Sequence, residues 1–149
     1  MNYSPPGYVP QVLLLGAALL LAASCASPPP AEEQAARAAS FAKVKPVIER
    51  SCVHCHGWQR LPGMPPLTDT RALAELTGPG KFIVPGQPEQ SRFFTVVTLS
   101  DNQTGAMPPT GHALTRREVA MLRTWITEGA RVPWVNTKLV PEGAVPRSR

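Results

Sequence analysis

The 149-residue sequence has little from which to build a membrane span. Its main apolar run, Val12 to Ala23 (VLLLGAALLLAA), is twelve residues long, and a bilayer-crossing helix needs about 20. It also lacks a basic stripe. Lys and Arg outnumber Asp and Glu by 15 to 10, for a net charge of +5, but the cations are scattered singly. Arg116-Arg117 is the one adjacent pair, and no stacking platform accompanies it, which argues against a nucleic-acid surface. Cysteine is scarce, with three residues in all. No alternation of strand and helix patterns is visible, so a βαβ framework is not expected. Proline, by contrast, is plentiful: 18 residues, about 12% against a usual level near 5%. Proline removes backbone donors and clashes inside helices, which disfavours a long-helix bundle or a continuous sheet. With 43% hydrophobic residues and a length suited to one domain, the expectation is an all-α fold of short helices joined by Pro/Gly-rich loops.

The apolar run has the length of an export-signal core. It ends at Ala22-Ala23-Ser24-Cys25, which resembles the bacterial lipoprotein signal, where the cysteine is lipidated and becomes the first mature residue. Ala22 stands where leucine is usual, and no Lys or Arg precedes the run; plain secretion with cleavage near Ala23 is the alternative. Residues 1–24 therefore read as a signal and 25–40 as a tether. Pro28-Pro29-Pro30 favours an extended polyproline segment, and Ala31–Ala39 suits a helix with Glu32 and Glu33 in its first turn. That helix has no apolar face larger than alanine. Residues 41–134 read as the domain and 135–149 as a surface tail.

The two remaining cysteines fall in Ser51-Cys52-Val53-His54-Cys55-His56. Cys-x-x-Cys-His is the attachment pattern of haem c. Two thiols three residues apart can each bond a haem vinyl group, and the following histidine then lies where its ring can ligate the iron. Export fits this chemistry, which belongs to the oxidising side of a membrane. A redox-active Cys-x-x-Cys prefers a strand-to-helix setting. Zinc would take Cys52, Cys55 and two of His54, His56 and His112, but a second compact Cys or His pair is absent. His54, between the thiols, reads as solvent-facing.

Phe41, Val44, Val47 and Ile48 make an apolar helical face, with Pro46 either splitting the helix or sitting in the first turn of one that begins near Lys45. This helix would deliver the cysteines at its C-terminal end, with Gly57 permitting a turn. A short helix is expected over Asp69–Thr77, capped by Asp69 or Thr70 and stopped by Gly78-Pro79-Gly80. Another is expected over Pro88–Leu99. The clearest helix opens with a Thr115/Glu118 capping box, buries Val119, Leu122 and Ile126 between Met121 and Trp125, and stops at Gly129.

A haem that moves electrons with little rearrangement needs a sixth iron ligand, and methionine is the one expected in cytochromes c. Met1 leaves with the signal, and Met121 belongs to a core stripe. Met64 and Met107 remain, each followed by two prolines. Met107 is far enough from His56 for two helices to pass round the haem edge, whereas Met64, eight residues on, reads as edge packing. His112 is a further candidate, or simply a loop residue.

Taken in order, Ser51–Gly57, Val84–Ser91 (VPGQPEQS), Met107-Pro108-Pro109 and Leu114–Ala130 resemble the small c-type cytochrome domain of the planctomycete type, a relative of class I cytochromes c. The resemblance covers about Phe41 to Trp134. It implies a mostly helical fold around one covalent haem, thioethers at Cys52 and Cys55, His56 as proximal ligand and Met107 as distal ligand. It also implies that the last helix, through Trp125, packs near the first. The expected function is single-electron transfer between periplasmic redox partners carrying acidic patches, by a carrier that is not itself an enzyme and is held to a membrane through Cys25. The alternative is a haem-based sensor with an open distal site.

Overall fold

The computed structural model describes residue 1 and residues 30–58, 62–109 and 112–143. The apolar run 12–23 and Cys25 lie outside the described residues. Among the described residues five α-helices follow one another: α1 (Ala31–Ala42), α2 (Lys45–Ser51), α3 (Thr70–Glu75), α4 (Arg92–Thr98) and α5 (Arg116–Thr127). A π-helical turn spans His54–Trp58 and a 3₁₀ turn Pro88–Gln90. Among the described residues the only extended pairings are two isolated bridges, Asp69 with Lys138 and Thr77 with Ile83. The fold is all-α.

Pro46 splits the first helical stretch. α1 ends at Ala42, the chain bends through Lys43 and Val44, and α2 starts at Lys45 with the proline in its first turn, where a missing N–H costs nothing. The bend keeps Phe41, Val44, Val47 and Ile48 all buried. α3 is capped by Asp69, whose carboxylate accepts from the Ala72 N–H at 2.9 Å. α5 has the full capping box between Thr115 and Glu118, and buries Leu122, Trp125 and Ile126. The Trp125 ring lies 6.2 Å from Phe41 and 6.4 Å from Phe93, and its Nε1 donates to the Arg131 carbonyl at 3.1 Å. The last helix thus packs against both α1 and α4.

Three expectations give way. The stretch from Pro88 is not one helix, because Ser91 interrupts it with extended backbone. Its fully buried Oγ accepts from the Val84 N–H at 2.8 Å and donates to the Gln87 carbonyl at 2.9 Å, so the side chain satisfies backbone groups that a continuous helix would leave in the core. The segment 31–40 is not a free tether. Arg37 pairs with Glu33, reaches the Val132 carbonyl at 3.4 Å and lies 4.2 Å over the Trp134 ring, while Gln34 accepts from the Trp134 N–H at 3.0 Å. The stretch after 134 is not wholly a surface tail. Leu139 is buried, its N–H donates to Thr68 at 3.0 Å, and buried Thr70 exchanges hydrogen bonds with Thr137.

Truncating Trp125 removes the contact common to α1, α4 and α5 and orphans the Arg131 carbonyl. Denaturant unfolding of Trp125→Ala is expected to show a loss of about 3–5 kcal/mol. Thr115→Ala, which removes only a cap, should lose about 1 kcal/mol in the same assay.

Candidate functional site

α2 runs directly into the cysteine motif. The Cys52 N–H still bonds Ile48 at 2.9 Å, and the His56 N–H bonds Cys52 at 3.0 Å. The backbone then widens into the π-helical turn His54–Trp58, a form found often at functional sites. The widening keeps Cys52, Cys55 and His56 on one wall while Val53 enters the core and His54 faces solvent. Gly57 serves close packing rather than a turn. A Cβ there would stand 2.8 Å from the Val53 Cγ1 and 3.1 Å from the Leu67 carbonyl oxygen, which alanine could not tolerate without displacement. That approach lets the Leu67 N–H reach the His56 carbonyl at 2.9 Å and draws the 62–67 loop along the motif.

The same loop sets the imidazole. His56 Nδ1 lies 2.9 Å from the Pro65 carbonyl oxygen. A carbonyl only accepts, so Nδ1 carries the hydrogen, and in the neutral ring Nε2 keeps its lone pair free for a metal. An outer hydrogen bond of this kind fixes tautomer and orientation and raises ligand basicity.

Opposite stands the loop that ends in Met107. The Met107 N–H donates to the Val96 carbonyl at 2.9 Å, which pins the loop to α4, and the following peptide to Pro108 is cis. Between the two loops lies a cleft with about 640 Å³ of empty space, part of it open to solvent. Leu67, Phe82, Phe93, Val96 and Val97 supply its apolar walls, and among the described residues no Asp, Glu, Lys or Arg side chain lines it. Burial pushes the Cys52 thiol up to about 12, and the neighbouring Cys55 adds to the rise.

Cys52, Cys55, His56, Met64 and Met107 therefore share one cleft. Met121 belongs to the core side of α5, as expected. His112 is exposed and lines an adjoining opening beside His54, Cys55 and Glu118. Cys25 lies outside the described residues. The pattern matches neither of the other uses of these cysteines. A motif on a helix end with a thiol held protonated is the reverse of a reactive Cys-x-x-Cys. Among the described residues no three of His, Cys, Asp and Glu are grouped to hold a metal. An apolar slot with two thiols and one free imidazole nitrogen on a wall and a thioether within reach does fit a haem.

The Pro65 carbonyl is the part of the site that residue types do not announce. Its only trace is the stiff Pro65-Pro66 pair, which says the loop is extended but not where its oxygen points.

No curated protein and no solved structure matches the chain. Residues 52–111 match the family model described as Planctomycete cytochrome C, which supports a cytochrome c domain of the planctomycete type over that stretch.

Proposed function

We propose that this protein is an exported, lipid-tethered monohaem cytochrome that carries single electrons between redox proteins and catalyses no reaction alone. The observation that carries the reading is the apolar cleft on which Cys52, Cys55, His56 and Met107 converge, with His56 Nδ1 already committed to Pro65. Cys52 and Cys55 would hold the haem through thioethers, His56 through Nε2, and Met107 through its sulfur. When bound, the haem supplies a one-electron iron couple, whose potential a methionine ligand raises.

The chain's own groups do the rest. Pro65 holds the imidazole in one tautomer. Val96 holds the Met107 backbone, and the hydrocarbon walls would limit the water that reaches a bound haem. Among the described residues the only acid–base side chain on the cleft apart from the two thiols is His56, and its Nδ1 is occupied, which supports a carrier rather than a catalyst. Export and lipidation rest on the run Val12–Ala23 and on Cys25. Net charge of +5 suits partners with acidic docking patches, and long-range attraction of that kind is screened by salt.

Protein made in cells that attach haem c should show a low-spin spectrum with a methionine–iron band in the near infrared and no response to carbon monoxide. Met107→Ala should lose that band, bind carbon monoxide in the ferrous state and fall in reduction potential. A wild-type protein that binds carbon monoxide at once would favour the sensor reading, in which the distal position is open. Replacing both Cys52 and Cys55 by serine should abolish haem staining on denaturing gels. Electron transfer to an acidic acceptor protein should slow as ionic strength rises, and rates indifferent to salt would count against basic docking.

A further inference from the structure

The cleft reaches solvent at two mouths. One lies beside Cys55, where Arg50 is already paired with Glu118. The other is bounded by Gly63 and Met64 on one loop, Gly105 and Met107 on the other, and Arg92 on the first turn of α4; neither cysteine lines it. Among the described residues, Arg92 is the one Lys or Arg that lines this second mouth. It is exposed, and none of the ion pairs among the described residues includes it; those use Arg37, Lys45, Arg50, Arg123 and Arg131. The sequence pattern gave no reason to single it out.

Haem carries its two propionate carboxylates on the half of the ring opposite its two vinyl groups. Bonds from Cys52 and Cys55 would therefore direct the carboxylates away from the cysteine mouth and toward the other. We infer that Arg92 is a propionate-binding residue and that its charge raises the reduction potential of the haem. The inference rests on the haem reading above. A planar guanidinium matches a carboxylate through two parallel N–H donors, which an ammonium does not do as well. Its charge is felt at the iron through a partly apolar cleft, where screening is weaker than in water. A nearby cation penalises the ferric state more than the ferrous one, because the ferric state carries one more positive charge. Removing it therefore favours oxidation.

The test is potentiometric titration of the full chain carrying covalent haem, followed in the visible α band. In Arg92→Gln the ferrous-to-ferric ratio at a fixed ambient potential should fall between about threefold and tenfold, the latter being about 59 mV for a one-electron couple. Arg92→Lys should recover most of the difference. Arg117→Gln, which removes a charge on the exposed side of α5, should leave the potential at the wild-type value. The methionine–iron band should persist in all three, which separates a charge effect from disturbance of Met107. An unchanged potential in Arg92→Gln, with haem retained, overturns the role of Arg92 and leaves the cytochrome reading standing. A wild-type protein without haem absorption overturns that reading and the inference with it. Should Arg92→Gln fail to accumulate, infrared redox-difference spectra of wild type and Arg92→Lys carry the same test. Propionate carboxylate bands that shift between them support the pairing, and bands that do not shift overturn it.

Discussion

The indole of Trp125 is where the helices that carry the two walls of the cleft are brought together. Its ring meets Phe41 at the end of α1 and Phe93 in α4, and its N–H is satisfied by the Arg131 carbonyl, so a large amphipathic side chain is buried without an unpaired polar atom. Both sides of the site are referenced to it. α1 leads through the Pro46 bend into α2, and α2 ends in the cysteine motif. α4 carries Val96, whose carbonyl holds the Met107 backbone. The spacing between the cysteine wall and the methionine loop thus follows from packing around one ring. Two loops that share almost no direct structure are thereby held at a working distance.

The chemistry of the cleft follows from its walls. Leu67, Phe82, Phe93, Val96 and Val97 provide hydrocarbon and no acid–base group, so an ion at the centre is stabilised by its own ligands and little else. In such surroundings a charge placed at a mouth carries further than it would on an open surface. The same desolvation keeps the Cys52 thiol protonated up to about 12. A folded cleft is therefore hospitable to a flat apolar ring and poor ground for a free thiolate.

What could be read from the residues was what depends on neighbours in the chain. Pro46 split the first helical stretch, Asp69 capped α3, and Thr115 and Glu118 formed their box, because each is settled within a few residues, whereas the packing of Trp125 toward the first helix followed from the family resemblance. The positions of Cys52, Cys55, His56 and Met107 on one cleft were legible for a similar reason, since motif and proline-bounded loop mark themselves. The misses were contacts between distant segments made by polar groups. α1 docks through Arg37 and Gln34 on Trp134 rather than through an apolar stripe, and 135–143 is held by Thr70, Thr137 and backbone bonds around a single buried leucine. Ser91 breaks a helical pattern because its hydroxyl is needed by Val84 and Gln87, seven and four residues away. Periodicity does not register such needs.

The hydrogen bond from His56 to Pro65 has a consequence for how this site can change over evolutionary time. The acceptor is a main-chain oxygen, present whatever residue occupies position 65, so no single codon encodes it and no side-chain replacement deletes it. The ring's orientation and basicity are inherited as the path of a loop, held by Gly57 and the Leu67 N–H on one side and by proline stiffness on the other. Gradual drift in side chains can recolour the walls and mouths of the cleft, while the imidazole can be retuned only by insertion, deletion or rerouting of the backbone. Lineages of this protein should accordingly diversify in potential through the rim far more readily than through the ligand itself.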